Sequence, residues 1–283
     1  MFFAVTSYIT GITSLALAAF VYYKKPESFL SKLFCLLTVS VAVYSIFLAS
    51  AVLSKTPEQA MFWLRIEHIG NAFIPTAYLH FSLVVAKKAR KWKWVLIISY
   101  LISFLLVPTV FTNLWIGGVR ENFAGLNFYP SPGPFYALYF FMYCAVFAFA
   151  QIVVYFASRQ LKGRDSKQAF FVFLTGFLGS LAGSVTFLPL YGVPITPNLN
   201  SLAILYLAAL AYAILKHGLL DIEVIIKKTL VFTGIVVAAA CIISFPIGLV
   251  QLIIGGKIGI PPFWLMVSGI ANEIAKSFSR SAN

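Results

Sequence analysis

Eight apolar runs, each long enough to cross a bilayer, dictate what this chain can become. They cover about residues 2–23, 29–53, 59–86, 94–114, 134–158, 168–191, 198–215 and 229–254. Hydrocarbon offers the backbone no hydrogen-bonding partner, so such runs must be helices, and roughly 20 residues span the ~30 Å core. A ninth run, 258–271, contains Pro261-Pro262 and stops at Asn272 and Glu273, which suits a re-entrant, interfacial or incomplete span. With most of the 283 residues used in this way, no stretch remains for a soluble catalytic domain of ~100 residues. Only 10% of the residues are charged and the mean hydropathy is +0.93. Those values exclude a soluble globule, a disordered chain and a fibrous repeat. The expected fold is all-α: a polytopic transmembrane helix bundle of seven spans plus one or two extra C-terminal spans. The expected division is a bundle over 1–215, a cytoplasmic linker over 216–228, and an eighth span, an incomplete ninth and a polar tail over 229–283.

Charge sets the orientation. The chain carries 21 Lys and Arg against 8 Asp and Glu, a net +13. On a soluble protein such a balance would suggest nucleic acid. Here the basic residues cluster in short links, and the excess of Lys and Arg on cytoplasmic links accounts for them. With the N-terminus outside, every Lys and Arg except Lys55, Arg65, Arg120 and Lys257 falls on the inner side. The lipid bilayer of the cytoplasmic membrane is therefore the expected partner, and nucleic acid is not one. Trp63, Trp92, Trp94 and Trp115 fall near helix ends, where amphipathic rings favour the interface. No basic n-region or small-residue cleavage site precedes Lys24-Lys25, so the first run reads as a retained helix and not a signal peptide. Cys35, Cys144 and Cys241 are widely spaced within apolar runs, which suggests neither a disulfide framework nor a zinc site.

The third run concentrates the polar residues. Arg65, Glu67, His68, Asn71 and His80 lie in it, and helical spacing aligns Leu64, His68, Asn71 and Pro75 on one stripe. Ionisable groups in hydrocarbon are costly unless paired or facing a wet cavity, which makes Arg65 and Glu67 a polar cluster of functional interest. An equally open reading has both near the outer surface, snorkelling and locking the helix to its neighbours. Pro75 has no N–H, so a carbonyl about one turn earlier, near Asn71, loses its helical partner. His80 reads as a packing histidine. In the sixth run Gly176, Gly179 and Gly183 form a small-residue face for helix packing, with a backbone-lined ligand niche as the minor alternative. Ser and Thr within the helices are expected to bond to a carbonyl one turn back. The sequence shows no nucleophile elbow, dinucleotide or P-loop fingerprint, or HExxH helix. No catalytic residue, metal ligand or cofactor is expected.

Further residues fall into an ordered pattern. Trp63-x-Arg65-x-Glu67-x-x-Gly70 with Pro75 and Phe81 is followed by Gly133-Pro134-Phe135, Tyr143 and Leu188-Pro189. Its most specific part runs from Tyr212-Ala213-Ile214 through Lys216 and His217 to Leu220-Asp221-Ile222, before Lys227-Lys228-Thr229-Leu230-Val231. Over about residues 1–255 the chain resembles the N-terminal seven-transmembrane sensor region of bacterial membrane histidine kinases. In that family the helices precede cytoplasmic PAS or GAF modules and the kinase core of a two-component system. The resemblance implies a receptor for an external or membrane-borne cue. The chain departs from a whole kinase: Gly-Leu-Leu-Asp follows His217 where a phosphoacceptor box would read differently, and the glycine-rich ATP boxes are missing. Kinase activity is not expected, and the chain reads as an orphan sensor, a truncated product or a fragment.

A sensor of this kind needs a pocket and an output. The expected pocket takes a small amphiphilic ligand among the third, fifth, sixth and seventh helices. Its expected lining is His68, Asn71, Tyr78, Tyr143 and Tyr206, with residues 115–133 as a lid. Output is expected through the inner end of the seventh helix into Lys216, His217, Asp221 and Glu223, toward a separate cytoplasmic kinase or regulator. A homodimer is compatible with this scheme. The alternative is a permease component, although no matched pair of broken helices supports it.

Overall fold

The computed structural model describes residues 2–24, 26–197 and Tyr206. They belong to the first of two compact units, Met1–Ala238; the second, Ala239–Asn283, lies outside the described residues. So do the seventh span apart from Tyr206, the linker with Lys216, His217, Asp221 and Glu223, and the eighth and ninth runs.

The described chain is mostly helical. Its elements are α1 (Phe2–Lys24), α2 (Phe29–Val52), α3 (Pro57–Val85), α4 (Lys93–Thr109), β1 (Ile116–Phe123), β2 (Leu126–Pro132), α5 (Tyr136–Gln160) and α6 (Gly163–Ser184). A single helical turn, Phe187–Leu190, prolongs α6. Helix starts follow their local chemistry. Ser28 and Thr56 cap α2 and α3 by accepting from Ser31 N–H and Gln59 N–H, and Pro57 opens α3 where its missing donor costs nothing. Four helical segments are long and apolar enough to cross a membrane: Phe2–Lys24, Phe29–Val52, Tyr136–Gln160 and Gly163–Leu190.

Helix α3 is the axis, in contact with α2, α4, α5, α6 and both strands, while α1 packs on α2. The distribution of side chains is inverted relative to a water-soluble bundle. Trp94, Leu101, Leu105, Phe141, Phe170 and Phe177 are exposed, while Ser7, Thr10, Ser14, Thr38, Thr76 and Thr175 are buried. Lipid tails are as apolar as leucine, so such helices associate through small residues and hydrogen bonds. Thr10, Thr38 and Thr175 donate to carbonyls one turn back, at 2.8, 2.9 and 2.7 Å. Thr76 and Ser103 join α3 to α4 at 2.8 Å. One close crossing is α2 on α3. A Cβ added to Gly70 would lie 2.6 Å from the Ser40 carbonyl oxygen and 2.9 Å from Tyr44 N, so only glycine fits there. This is a helical membrane bundle.

Three expectations change. The segment 115–133, read as a loop in an all-α fold, contains an antiparallel hairpin closed by the pair Phe123 and Leu126. Between them Ala124 (φ 55°) and Gly125 (φ 73°) take the left-handed conformations of a type I′ turn. Alanine stands where asparagine usually announces such a turn, which hid the hairpin in the sequence. Helix α4 stops at Thr109, a turn short of 114. Trp115, expected at the interface, is fully buried beneath the hairpin. At the far end of α3, Lys87 takes a left-handed φ of 57° and pairs with Asp165 at the start of α6.

Candidate functional site

Proline creates the first feature of the site. Pro75 cannot donate to the carbonyl four residues earlier, which belongs to Asn71. Tyr139 of α5 takes over: its hydroxyl donates to Asn71 Oδ1 at 2.7 Å and lies 3.1 Å from the Asn71 carbonyl oxygen. One phenol proton is therefore shared between the orphaned backbone carbonyl and the side-chain oxygen beside it.

One turn up, Glu67 pairs with His68, both buried, and His68 Nδ1 lies 2.9 Å from the Leu64 carbonyl oxygen. The imidazole meets Trp115 edge-on at 5.1 Å between ring centres and Tyr136 at 5.8 Å. This stack fastens the start of the hairpin to α3 and α5. The hairpin also grips the end of α6. Arg120 donates to the Pro189 and Leu190 carbonyls at 2.8 and 2.9 Å, and Tyr129 to the Thr186 carbonyl at 2.7 Å. Those carbonyls sit at a helix end, where partners within the helix run out. Burial pushes the Tyr129 phenol well above its ordinary range, which keeps it a donor.

Between α2, α3, α5 and α6 lies a cavity of about 80 Å³. Asn71 and Tyr78 of α3, Tyr44 and Ser45 of α2, Tyr143 of α5, Thr186 and Tyr206 bring its polar groups. Helix α6 supplies a wall of glycine. A Cβ on Gly176 would collide with the Tyr78 phenol, one on Gly179 would lie 3.3 Å from the Tyr206 ring, and one on Gly183 2.8 Å from the Tyr143 hydroxyl. Each glycine is a notch that receives one tyrosine. Since a water needs ~10–15 Å³ on this measure, the space holds several waters or the body of one small molecule.

The structure brings Asn71, Tyr78, Tyr143 and Tyr206 together around this cavity and leaves His68 outside it, in the stack with Trp115. Gly176, Gly179 and Gly183 receive the Tyr78, Tyr206 and Tyr143 rings along the cavity, and a close approach of two helix backbones lies at Gly70. Arg65 and Glu67 do not form one cluster. Two residues apart on a helix means about 200° of rotation. Glu67 turns into the core, and Arg65 lines an open groove of about 610 Å³ with Glu58, Met61, Phe62 and Phe111. His80 packs against Phe29 and lies 3.1 Å from the Tyr100 hydroxyl. Tyr44 and Tyr139 escaped the sequence reading, because a tyrosine inside an apolar run signals nothing until its distant neighbours are known.

Among the described residues no group of three or more His, Cys, Asp or Glu could hold a metal, and no Asp, Glu, Lys, Arg or His lines the cavity. Phenols, an amide and aliphatic walls are equipment for binding. Neither a curated protein nor a solved structure matches the chain. Residues 7–223 match the family described as the N-terminal 7TM region of histidine kinase, and the chain belongs to that family of membrane-embedded sensor regions.

Proposed function

We propose that this sensor region takes a small amphiphilic ligand into the cavity around α3 and signals through the cytoplasmic end of the seventh helix. One observation carries the reading: four tyrosines and Asn71 converge on a cavity beside the central helix. In this scheme seven helices cross the cytoplasmic membrane with the N-terminus outside, as the basic links favour. The hairpin covers the outer end. His68 supports that cover through Trp115 without touching the ligand. A ligand that displaces a phenol pushes on the α6 notch that holds it, which couples binding to helix position. Residues 216–228 then carry the change to a separate kinase or regulator.

The test uses purified protein in lipid nanodiscs, screened against small amphiphiles by melting temperature. A ligand at a hundred times its Kd adds about 2.7 kcal/mol, a shift of several degrees. The expected result is such a shift in wild type, its loss in Asn71→Leu and Tyr143→Leu, and no flux of the same compound into proteoliposomes. Ligand-dependent flux would replace the sensor reading with a permease component.

A further inference from the structure

A second opening lies apart from the cavity, where α3 begins. Glu58 and Arg65 of α3 line this groove of about 610 Å³ together with Met61, Phe62, Phe111 just past α4, and Val119 of β1. Its size falls among sites that take a whole small molecule, ~300–1,000 Å³. Phe62 and Phe111 are 56% and 58% exposed, so the groove opens beside apolar surface that lipid chains cover. Its two charges leave each other unmet. Nε of Arg65 is shielded from solvent without a hydrogen-bond partner, and among the described residues no ion pair joins Arg65 to Glu58. A guanidinium among apolar walls is costly until an oxyanion meets it, and its planar fork matches phosphate. Glu58 is the second residue of α3, where a negative charge complements the helix N-terminus. That accounts for an acid in the first turn but not for the cation below it on the same face.

The order of the charges selects the occupant. Seven residues separate Glu58 from Arg65, which is two turns, or about 10 Å along the axis. With α3 entering from outside, the acid is the outer charge and the guanidinium the inner one. In the outer leaflet a phospholipid's phosphate lies deeper than the amine it carries. A purely anionic lipid would bring phosphate to Arg65 and leave Glu58 facing negative charge. A phosphate ester with a primary ammonium two carbons further out answers both groups. We propose that the groove binds one aminophospholipid of the phosphatidylethanolamine class, its phosphate on Arg65, its ammonium on Glu58 and an acyl chain along Phe62 and Phe111. The choice of leaflet rests on the topology in the proposed function; the choice of head group rests on the groove's own charges.

The test is native mass spectrometry of the full chain in detergent, titrated with phosphatidylethanolamine, phosphatidylcholine or phosphatidylglycerol of identical acyl chains. Wild type is expected to bind one phosphatidylethanolamine saturably, half-filled at a concentration about fivefold or more below the other two. Arg65→Gln should weaken it about tenfold, the worth of a hydrogen bond to a charged group. Glu58→Gln should erase the preference, bringing the three lipids within about twofold of one another, because phosphate binding survives and ammonium binding does not. Melting temperatures in lipid-free detergent check that both variants fold. Glycerophosphoethanolamine, the same head without tails, should fail to displace the lipid at about tenfold excess. Its success would overturn the lipid in favour of a soluble phosphate ester. Equal binding of the three lipids by wild type, or a preference for phosphatidylglycerol, overturns the head-group assignment whether or not a variant folds. Unchanged phosphatidylethanolamine binding in Arg65→Gln overturns the groove as its site. A reversed topology would overturn the leaflet while the ranking in detergent stands, so the two failures are read apart.

Discussion

At the scale of single residues, Pro75 and Tyr139 form a pair that neither could justify alone. The proline opens a gap in the α3 ladder at the Asn71 carbonyl, and a phenol from α5, 68 residues beyond Asn71, fills it. Tyr139→Phe should therefore cost about 1–3 kcal/mol, the usual penalty for leaving a buried acceptor unpaired, read as a lower melting temperature. In a Pro75→Ala background the backbone donor returns, and the same substitution should cost measurably less; equal costs in both backgrounds would show the two residues to be independent. Half of this pair was legible beforehand. A proline and an asparagine one turn apart in an apolar run stand out, because each breaks a rule of the run. Tyr139 does not, since tyrosine is at home in a membrane helix and only the fold reveals what its hydroxyl meets. Glu67 and Arg65 teach a similar lesson: the sequence shows two costly charges, but the helical phase that sends one inward and one to a groove needs the neighbours in place.

Among elements, glycine has two separate uses that sequence spacing alone could not tell apart. Gly70 brings the backbones of α2 and α3 together, whereas Gly176, Gly179 and Gly183 receive tyrosine rings. Substitutions should separate them. Gly70→Ala drives a methyl against backbone that cannot yield and should cost about 1–3 kcal/mol, the range for overpacking a tight contact. Gly179→Ala meets only the edge of the Tyr206 ring at 3.3 Å and should cost less, while shrinking the cavity. Comparable losses of melting temperature for both would contradict this ranking. The helices themselves were legible because an apolar run has one solution in lipid. The hairpin was not, since its turn depends on a left-handed alanine and its strands, with adjacent glycines in one and two prolines in the other, carry no regular alternation.

For the molecule as a whole, the inverted distribution of apolar and polar side chains among the described residues makes sense only with hydrocarbon on the outside, and the proposed direction rests on the basic links. Reporter fusions after Lys93 and Lys162 should read cytoplasmic and one after Gly125 external; an external reading after Lys93 would reverse the topology. The two ends of α6 are also latched by different kinds of force. At the Asp165 end the latch is an exposed pair of opposite charges, with side chains 61% and 41% exposed. At the Thr186 end Arg120 and Tyr129 bond to neutral backbone carbonyls under the hairpin. Ionic strength acts on these unequally. Between ~0.01 and ~1 M salt the screening length falls from ~30 to ~3 Å, which weakens exposed charge pairs and leaves bonds to carbonyls nearly untouched. In concentrated salt the Asp165 end thus loses its charged latch but keeps the bond from Ser166 to the Ser158 carbonyl, so the electrolyte, with no change in a single covalent bond, shifts the firmer hold on the helix toward the hairpin.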